Sequence, residues 1–493
     1  MKQLTGLDAA FLSIETPSSF GHVSSVVIYQ RPDDPEFSPY EAFHAQLERR
    51  LHLLEPLRRK LVEVPFGLDH PYWINDPHFD LDFHVRHMAI PSPGTMEQLS
   101  TQVARIIGRP CDRSRPLWEV YVIEGLENDE FAILTKVHHA TIDGASGVEM
   151  LMMMLDSEPG GDDIPTDEGG WEPESPPHNL ELIGRTVFNL ARTPGRAARM
   201  QMRMLRRVAD TTRSRGVTNT VDQVRRQLPS KLGGLTSVER ERSLPQVLAP
   251  PTPFNRSIGP NRRLAMGSAP LSDVKAIKSA LGATVNDVVM AVTAGALRRY
   301  LLSHHALPDQ PLRAMVPVSI RTGEEADRWT NRVSAVFVAI PTHLDDPLAR
   351  VQAVHDSMNR SKEQFDLVPA DTLVDMADLA TPAIVSQVSR LAGSLHLADR
   401  AVGSPVNVVI SNVPGPRQPL YMGGAKMVRF FPVSTITEGV GLNITVQSYL
   451  DSLDFGLVAC RELVPDLDDL LEHHLAEIEI LAEAAGVGSA RHR

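Results

Sequence analysis

His138-His139-Ala140-Thr141-Ile142-Asp143-Gly144 is the stretch that decides how this chain reads. It follows Phe131 to Val137, a run rich in β-formers, and precedes Val148 to Leu155, whose composition is helical with a Met/Leu face. Two histidines thus stand at a strand end, before a short turn and a helix. A side chain there is held by rigid backbone yet open to a cleft. Imidazole titrates near neutral pH, so His139 suits proton abstraction from a hydroxyl or thiol. Asp143 can accept a hydrogen bond from a histidine or fix the turn, and Gly144 allows backbone angles closed to other residues. A zinc site of the H-E-x-x-H kind needs histidines four apart on one helical face, and adjacent histidines do not share a face. Two histidines merely packed near a turn are the ordinary alternative, and the full seven-residue pattern makes it the weaker one. The pattern indicates a general base without naming the reaction.

Outward from this stretch, Glu119 to Ile123 and Phe131 to Val137 flank the polar turn Glu124 to Glu130, which predicts an antiparallel hairpin. The first 155 residues alternate strands and helices. Residues 156–177 hold eight acids, several Pro and Gly and no Lys or Arg, which predicts a loop or disordered linker. From Arg185 to Arg215 the sign reverses, with nine arginines and one acid, Asp210. Arg196, Arg199, Arg203 and Arg207 share one helical face, and Met200, Met204 and Val208 form another stripe. Pro194 and Gly195 divide this region into two helices. Further on, helices are predicted over 271–281, 284–303 and 470–485. Strands are predicted over 313–320, 332–340, 406–410, 426–434, 441–449 and 452–460. The expected organisation is an N-terminal unit 1–155, a connector 156–250, a C-terminal unit 251–485 and a tail 486–493.

The 493 residues, 42% of them apolar, suffice for a sizeable core. A net charge of −12 disfavours nucleic acid as a partner, because phosphate binding needs a cationic surface. The two cysteines, Cys111 and Cys460, form no C-x-x-C pair, so neither a disulfide framework nor a zinc ribbon is expected. The N-terminus carries an early acid and no long apolar run, so no signal peptide is expected, nor is a spanning helix. A cytoplasmic protein that approaches any lipid from the side is the expectation.

Five segments then carry a resemblance. His138-His139-x-x-x-Asp143-Gly144 resembles the active-site motif of the CoA-dependent acyltransferase superfamily, which includes chloramphenicol acetyltransferases, carnitine acyltransferases and peptide-synthetase condensation domains. Leu4-Thr5-Gly6-Leu7-Asp8-Ala9-Ala10-Phe11-Leu12, Arg115-Pro116-Leu117-Trp118-Glu119, Thr284-Val285-Asn286-Asp287-Val288 and Ser411-Asn412-Val413-Pro414-Gly415-Pro416 resemble, in the same order, segments of the bacterial bifunctional wax ester synthase/diacylglycerol acyltransferases. The resemblance implies an α/β (α+β) fold of two chloramphenicol-acetyltransferase-like subdomains, with mixed sheets around a central channel. It implies a fatty acyl-CoA donor, a diacylglycerol or long-chain alcohol acceptor, and neither cofactor nor metal, acyl-CoA being a substrate. His139 becomes the proton acceptor, with His138, Asp143 and Gly144 shaping the turn. Transfer from a carrier-bound donor, or to another acceptor, and a non-catalytic lipid-binding relative are the alternatives.

The remaining assignments stay open at this stage. Asn286 and Asp287 can face His139 across the channel, where an Asn donor would serve the oxyanion, or Asn286 can cap the helix that follows. Pro116, Leu117 and Trp118 read mainly as packing, with channel lining as the alternative. Ser411 and Asn412 lead either a channel-lining loop or a plain turn. Arg321 and Arg332 are candidates for CoA phosphates against the ordinary solvated role. The arginine face of the connector either lies on an anionic membrane or lipid-droplet surface or is solvated while the Met stripe packs inward.

Overall fold

The computed structural model describes residues 1–142, 144–165, 172–189, 248–319, 329, 333–367, 382–383, 386–387, 399 and 404–488. The first half contains β1 (Lys2–Gln3), α1 (Gly6–Ser13), β2 (His22–Gln30), α2 (Pro39–Arg50), β3 (Arg59–Val62), β4 (Tyr72–Asn75), α3 (Leu81–His84), β5 (Val85–Ala89), α4 (Met96–Ile107), β6 (Trp118–Glu124), β7 (Glu130–His138) and α5 (Gly144–Met154). The second contains β8 (Arg262–Pro270), α6 (Leu271–Leu281), α7 (Val285–Ser303), β9 (Leu312–Ser319), β10 (Val333–Ile340), α8 (Pro347–Leu367), β11 (Val408–Val413), β12 (Tyr421–Met422), β13 (Ala425–Val433), β14 (Leu442–Tyr449), β15 (Ser452–Cys460) and α9 (Leu467–Ala484).

Among the described residues two six-stranded mixed sheets dominate, in the orders β12-β13-β2-β7-β6-β5 and β10-β9-β11-β14-β15-β8. The predicted hairpin is present as the antiparallel pair β6–β7, with Trp118 opposite Val137. Parallel pairing occurs between β5 and β6 in the first sheet, and between β11 and both β9 and β14 in the second. The two sequence halves do not keep to separate sheets. β12 and β13 leave the second half and join the first sheet, where β13 pairs with β2 from Lys426↔Gln30 to Val433↔Ser24. A sequence boundary near residue 250 therefore does not follow the sheets.

The core of the second half lies between its sheet and helices α6 to α9. Leu442, Ile444 and Val446 of β14 meet Val288, Val292 and Leu297 of α7 there, all nearly or fully buried. Each such aliphatic side chain contributes roughly 1.5–3 kcal/mol relative to exposure. The first sheet is buried on both faces. Val27, Trp118 and Ile133 belong to the cluster on one side, and Val26, Ile28 and Leu134 to the cluster on the other. Lys136 is fully buried in β7, and its ammonium donates to the carbonyls of Arg109 (2.7 Å) and Pro110 (3.4 Å). The acidic linker, where described, lacks helix and strand through residue 165, as predicted, but it is docked: buried Asp156 pairs with buried Arg50. The connector arginines Arg196, Arg199, Arg203 and Arg207 lie outside the described residues. Among the described residues no single helix is long and apolar enough to cross a membrane.

Candidate active site

The His pair sits where three strands meet. β7 ends at His138, paired with His22 of β2. The His138 N–H donates to the Leu117 carbonyl at 2.9 Å, and the His139 N–H donates to the Gly21 carbonyl at 2.8 Å. Thr141 N–H closes the turn onto the His138 carbonyl at 2.9 Å. The turn is thus tied on one side to the residue before β6 and on the other to the residue before β2.

The two histidines have different surroundings. His138 is almost fully buried, and its Nδ1 accepts the Ala140 N–H at 3.0 Å. That acceptor role leaves the ring proton for Nε2, which lies 3.2 Å from Glu15 Oε1. Glu15 also accepts the Gly21 N–H (2.7 Å) and the Arg113 guanidinium (2.7 Å). Burial works against the charge on Glu15, but His138, the Gly21 N–H and Arg113 outweigh it and hold the carboxyl at about 2. Arg113 is further fixed by the Leu12 carbonyl (2.7 Å) and Glu63 (2.9 Å). Gly21 must lack a side chain: a Cβ there would stand 2.6 Å from His138 Nε2 and 2.9 Å from the Phe11 carbonyl.

His139 faces the other way. Its ring stacks on Phe11 of α1, with centroids 4.2 Å apart and planes 9° from parallel. It lines a cavity of about 440 Å³, a volume suited to a small-molecule site. One wall comes from β2, β7 and α5, including Ser25, Thr135, Val137, Val148 and Leu151. The opposite wall comes from β9, β11 and β14, including Pro317, Val409, Ser411, Thr445 and Gln447, while Phe430 and Pro432 of β13 extend the first wall beside β2. The lining is mostly apolar, with a few side-chain donors and acceptors.

The other sequence candidates divide clearly. Ser411, Asn412, Val413 and Pro414 all line the cavity. β11 begins two residues later than predicted and continues through Val413, so Ser411 and Asn412 belong to the strand rather than to a turn after it. Beyond the strand the chain runs close against β14 at Gly415, where a Cβ would stand 1.9 Å from the Ser448 carbonyl. Asn286 and Asp287 do not line this cavity, contrary to one expectation; they occupy the first turn of α7. Thr284, not Asn286, is the N-cap: its hydroxyl accepts the Asp287 N–H (3.1 Å), and the Asp287 carboxylate accepts the Thr284 N–H (3.0 Å). Asp287 also pairs with His355 at 3.0 Å, and the Asn286 amide points to Met358 Sδ at 3.9 Å. Pro116, Leu117 and Trp118 are buried outside the cavity lining. Trp118 donates to the Leu57 carbonyl (2.7 Å) and stacks on His84 at 4.3 Å. Gly144 opens α5; Asp143, Arg321 and Arg332 lie outside the described residues.

Phe11, Glu15, Gly21 and Arg113 were not among the sequence-level site candidates. Phe11 stands in the quoted N-terminal segment, but nothing local to it tells which ring it covers. Neither cysteine lines the cavity, and burial raises both thiols, Cys111 to about 12. Among the described residues no three His, Cys, Asp or Glu side chains are grouped as metal ligands.

Two mixed sheets facing each other across a cavity, with a histidine at a strand end in its wall, define the architecture shared by acyltransferases and condensation domains. The first condensation domain of the CDA synthetase superposes with a TM-score of 0.54 over 99% of this chain and 97% of its own, at 16% identity, a likeness of fold alone. The wax ester synthase/diacylglycerol acyltransferase from Marinobacter aquaeolei VT8 superposes with a TM-score of 0.68 at 28% identity, covering 99% of this chain and 100% of its own. The family described as the wax ester synthase/diacylglycerol acyltransferase catalytic domain matches residues 4–289, and its C-terminal domain matches residues 329–482. A Mycobacterium tuberculosis H37Rv protein assigned as a diacylglycerol O-acyltransferase is 36% identical over 486 residues, 98% of this chain and 100% of its own. The assigned diacylglycerol O-acyltransferase tgs2 of the same organism is also 36% identical, over 97% of this chain and 98% of its own. The chain belongs to the wax ester synthase/diacylglycerol acyltransferase family and is an acyltransferase.

Proposed function

We propose that the protein moves a long-chain acyl group from acyl-CoA to the hydroxyl of diacylglycerol, and of long-chain alcohols, with His139 as the general base. The observation that carries this is the position of His139: its ring lines a mostly apolar cavity between the two sheets and is backed by Phe11. The acceptor hydroxyl gives its proton to the imidazole as its oxygen attacks the thioester carbonyl carbon. The tetrahedral intermediate collapses with cleavage of the C–S bond, and the proton passes from the imidazolium to the departing thiolate. The products are an ester and free CoA. The raised thiols favour direct transfer over a cysteinyl intermediate. His138, Asp143 and Gly144 shape the turn, and Ser411 and Asn412 contact substrate from the opposite wall. Incubation with labelled palmitoyl-CoA and either diacylglycerol or hexadecanol, followed by lipid separation, tests the reading. Label is expected in triacylglycerol and wax ester; label in neither overturns it.

Peripheral contact with a membrane or lipid droplet is the second part of the reading. The helical residues 179–189 lead into the arginine-rich connector. They bury Leu182 against Val64 and Tyr72 while exposing Leu180, Val187 and Phe188. An apolar face beside a cationic segment suits an anionic lipid surface. Flotation with anionic liposomes is expected to weaken when Arg196, Arg199, Arg203 and Arg207 are neutralised, and equal flotation contradicts the contact.

A further inference from the structure

Strand β14 alternates between two chemistries. Leu442, Ile444 and Val446 point into the helix-side core, and Asn443, Thr445 and Gln447 point the other way. Such alternation ordinarily puts the polar face in water. Here the polar face is as buried as the apolar one, with Asn443, Thr445 and Gln447 exposed by only 2%, 4% and 3%.

Buried polar groups persist where partners satisfy them. Asn443 donates to the Thr435 carbonyl at 2.9 Å and accepts the Thr445 hydroxyl at 2.9 Å. Gln447 differs: its Nε2 is buried and has no hydrogen-bond partner among the described residues. The residue stands in the wall of the same cavity as His139. Its register partner on β11 is Val413, and its amide nitrogen lies close beside Gly415, where a Cβ would come within 3.2 Å. Gln447 thus stands in the cavity wall with its amide nitrogen unsatisfied and packed beside Gly415. An orphaned buried donor is costly, and a ligand acceptor removes that cost.

We propose that Gln447 is a substrate-contacting residue whose amide N–H donates to a carbonyl oxygen of an ester or thioester bound in the cavity. The inference rests on the acyl-transfer reading of this site. Two substrates carry such an oxygen: the thioester of the donor and the ester groups of diacylglycerol. Hexadecanol carries none, so the choice of acceptor separates the two sources.

The test compares wild type with Gln447→Leu, which keeps the bulk and removes the donor, and with Gln447→Glu, which exchanges the donor for an acceptor. Each is measured for kcat and KM with palmitoyl-CoA and either diacylglycerol or hexadecanol, alongside thermal unfolding. Gln447→Met replaces the Leu variant if that one does not fold. Both variants are expected to lose about tenfold or more in kcat/KM. Gln447→Leu is expected to unfold no earlier than wild type, because it removes an unsatisfied buried group. A loss confined to diacylglycerol assigns the contact to the acceptor ester, and an equal loss with both acceptors assigns it to the thioester. Unchanged kcat/KM with both acceptors, or a loss matched by the fall in folded fraction, overturns the inference. Wild-type turnover in the same assay checks the acyl-transfer reading separately.

Discussion

Phe11 lies flat on the imidazole of His139, the two centroids 4.2 Å apart. The N-terminal helix therefore reaches across to the strand-end turn and limits the orientations open to the ring. Removing the stack with Phe11→Ala gives up an aromatic contact worth about 0.5–1.5 kcal/mol, which corresponds to a loss of about two- to thirteenfold if it acts through the orientation of the base. The expected result is a fall in kcat of that size with little change in KM for acyl-CoA, read by release of free CoA.

Behind the other histidine, Glu15 gives a pH signature. Its carboxyl is held at about 2 against an ordinary 4.5, so the folded state favours the ionised form. The resulting stabilisation is fully present above the ordinary value and is lost as pH falls from about 4.5 toward 2. It amounts to about 3 kcal/mol at neutral pH. Glu15→Gln is expected to be less stable than wild type near neutrality and to lose less further stability across that acid window. Denaturant titrations at a series of pH values check this, and parallel curves for the two proteins contradict it.

Gly21 makes a steric prediction. A methyl group there meets the His138 ring at 2.6 Å and the Phe11 carbonyl at 2.9 Å, both inside van der Waals contact. Gly21→Ala is expected to lower the melting temperature by several degrees and to reduce turnover per folded molecule at least as much as Phe11→Ala. Calorimetry with activity normalised to folded protein reads both.

How much of this was legible in the sequence depends on how local each signal is. The hairpin ending at His138 follows from two β-rich runs around a polar turn, and the helix after it from composition, so the turn that carries the His pair was readable. The five quoted segments were readable as a set, and with them the family. The contacts of Phe11 and Glu15 join α1 and the residues after it to the end of β7, and no local pattern encodes such a pairing. Strand propensity locates β13 but does not tell which sheet it joins. The alternation of β14 was visible as a strand; that both of its faces are buried follows only from the sheet opposite. Asn286-Asp287 looked like a channel pair because the resemblance marked it, whereas Thr284 and Asp287 three residues apart are a capping box.

That capping box gives a further prediction. Asp287→Ala removes the acceptor for the Thr284 N–H and the partner of His355. The expected cost is about 1–2 kcal/mol of stability, with turnover per folded molecule unchanged. Thermal unfolding and active-site-normalised rates separate the two effects.

The cysteines should be silent. Burial raises both thiols, Cys111 to about 12, and neither lines the cavity. Iodoacetamide at neutral pH is expected to leave turnover unchanged, and inactivation in proportion to labelling contradicts direct transfer.

The central claim is proton transfer by His139, and His139→Ala tests it most directly. Purified variant and wild type are compared for transfer of labelled palmitate from palmitoyl-CoA to diacylglycerol, with circular dichroism and melting temperature as controls for folding. A loss of about 10²- to 10⁴-fold in kcat with an unchanged fold is the expected result. Turnover close to that of wild type in a folded His139→Ala protein would contradict the account.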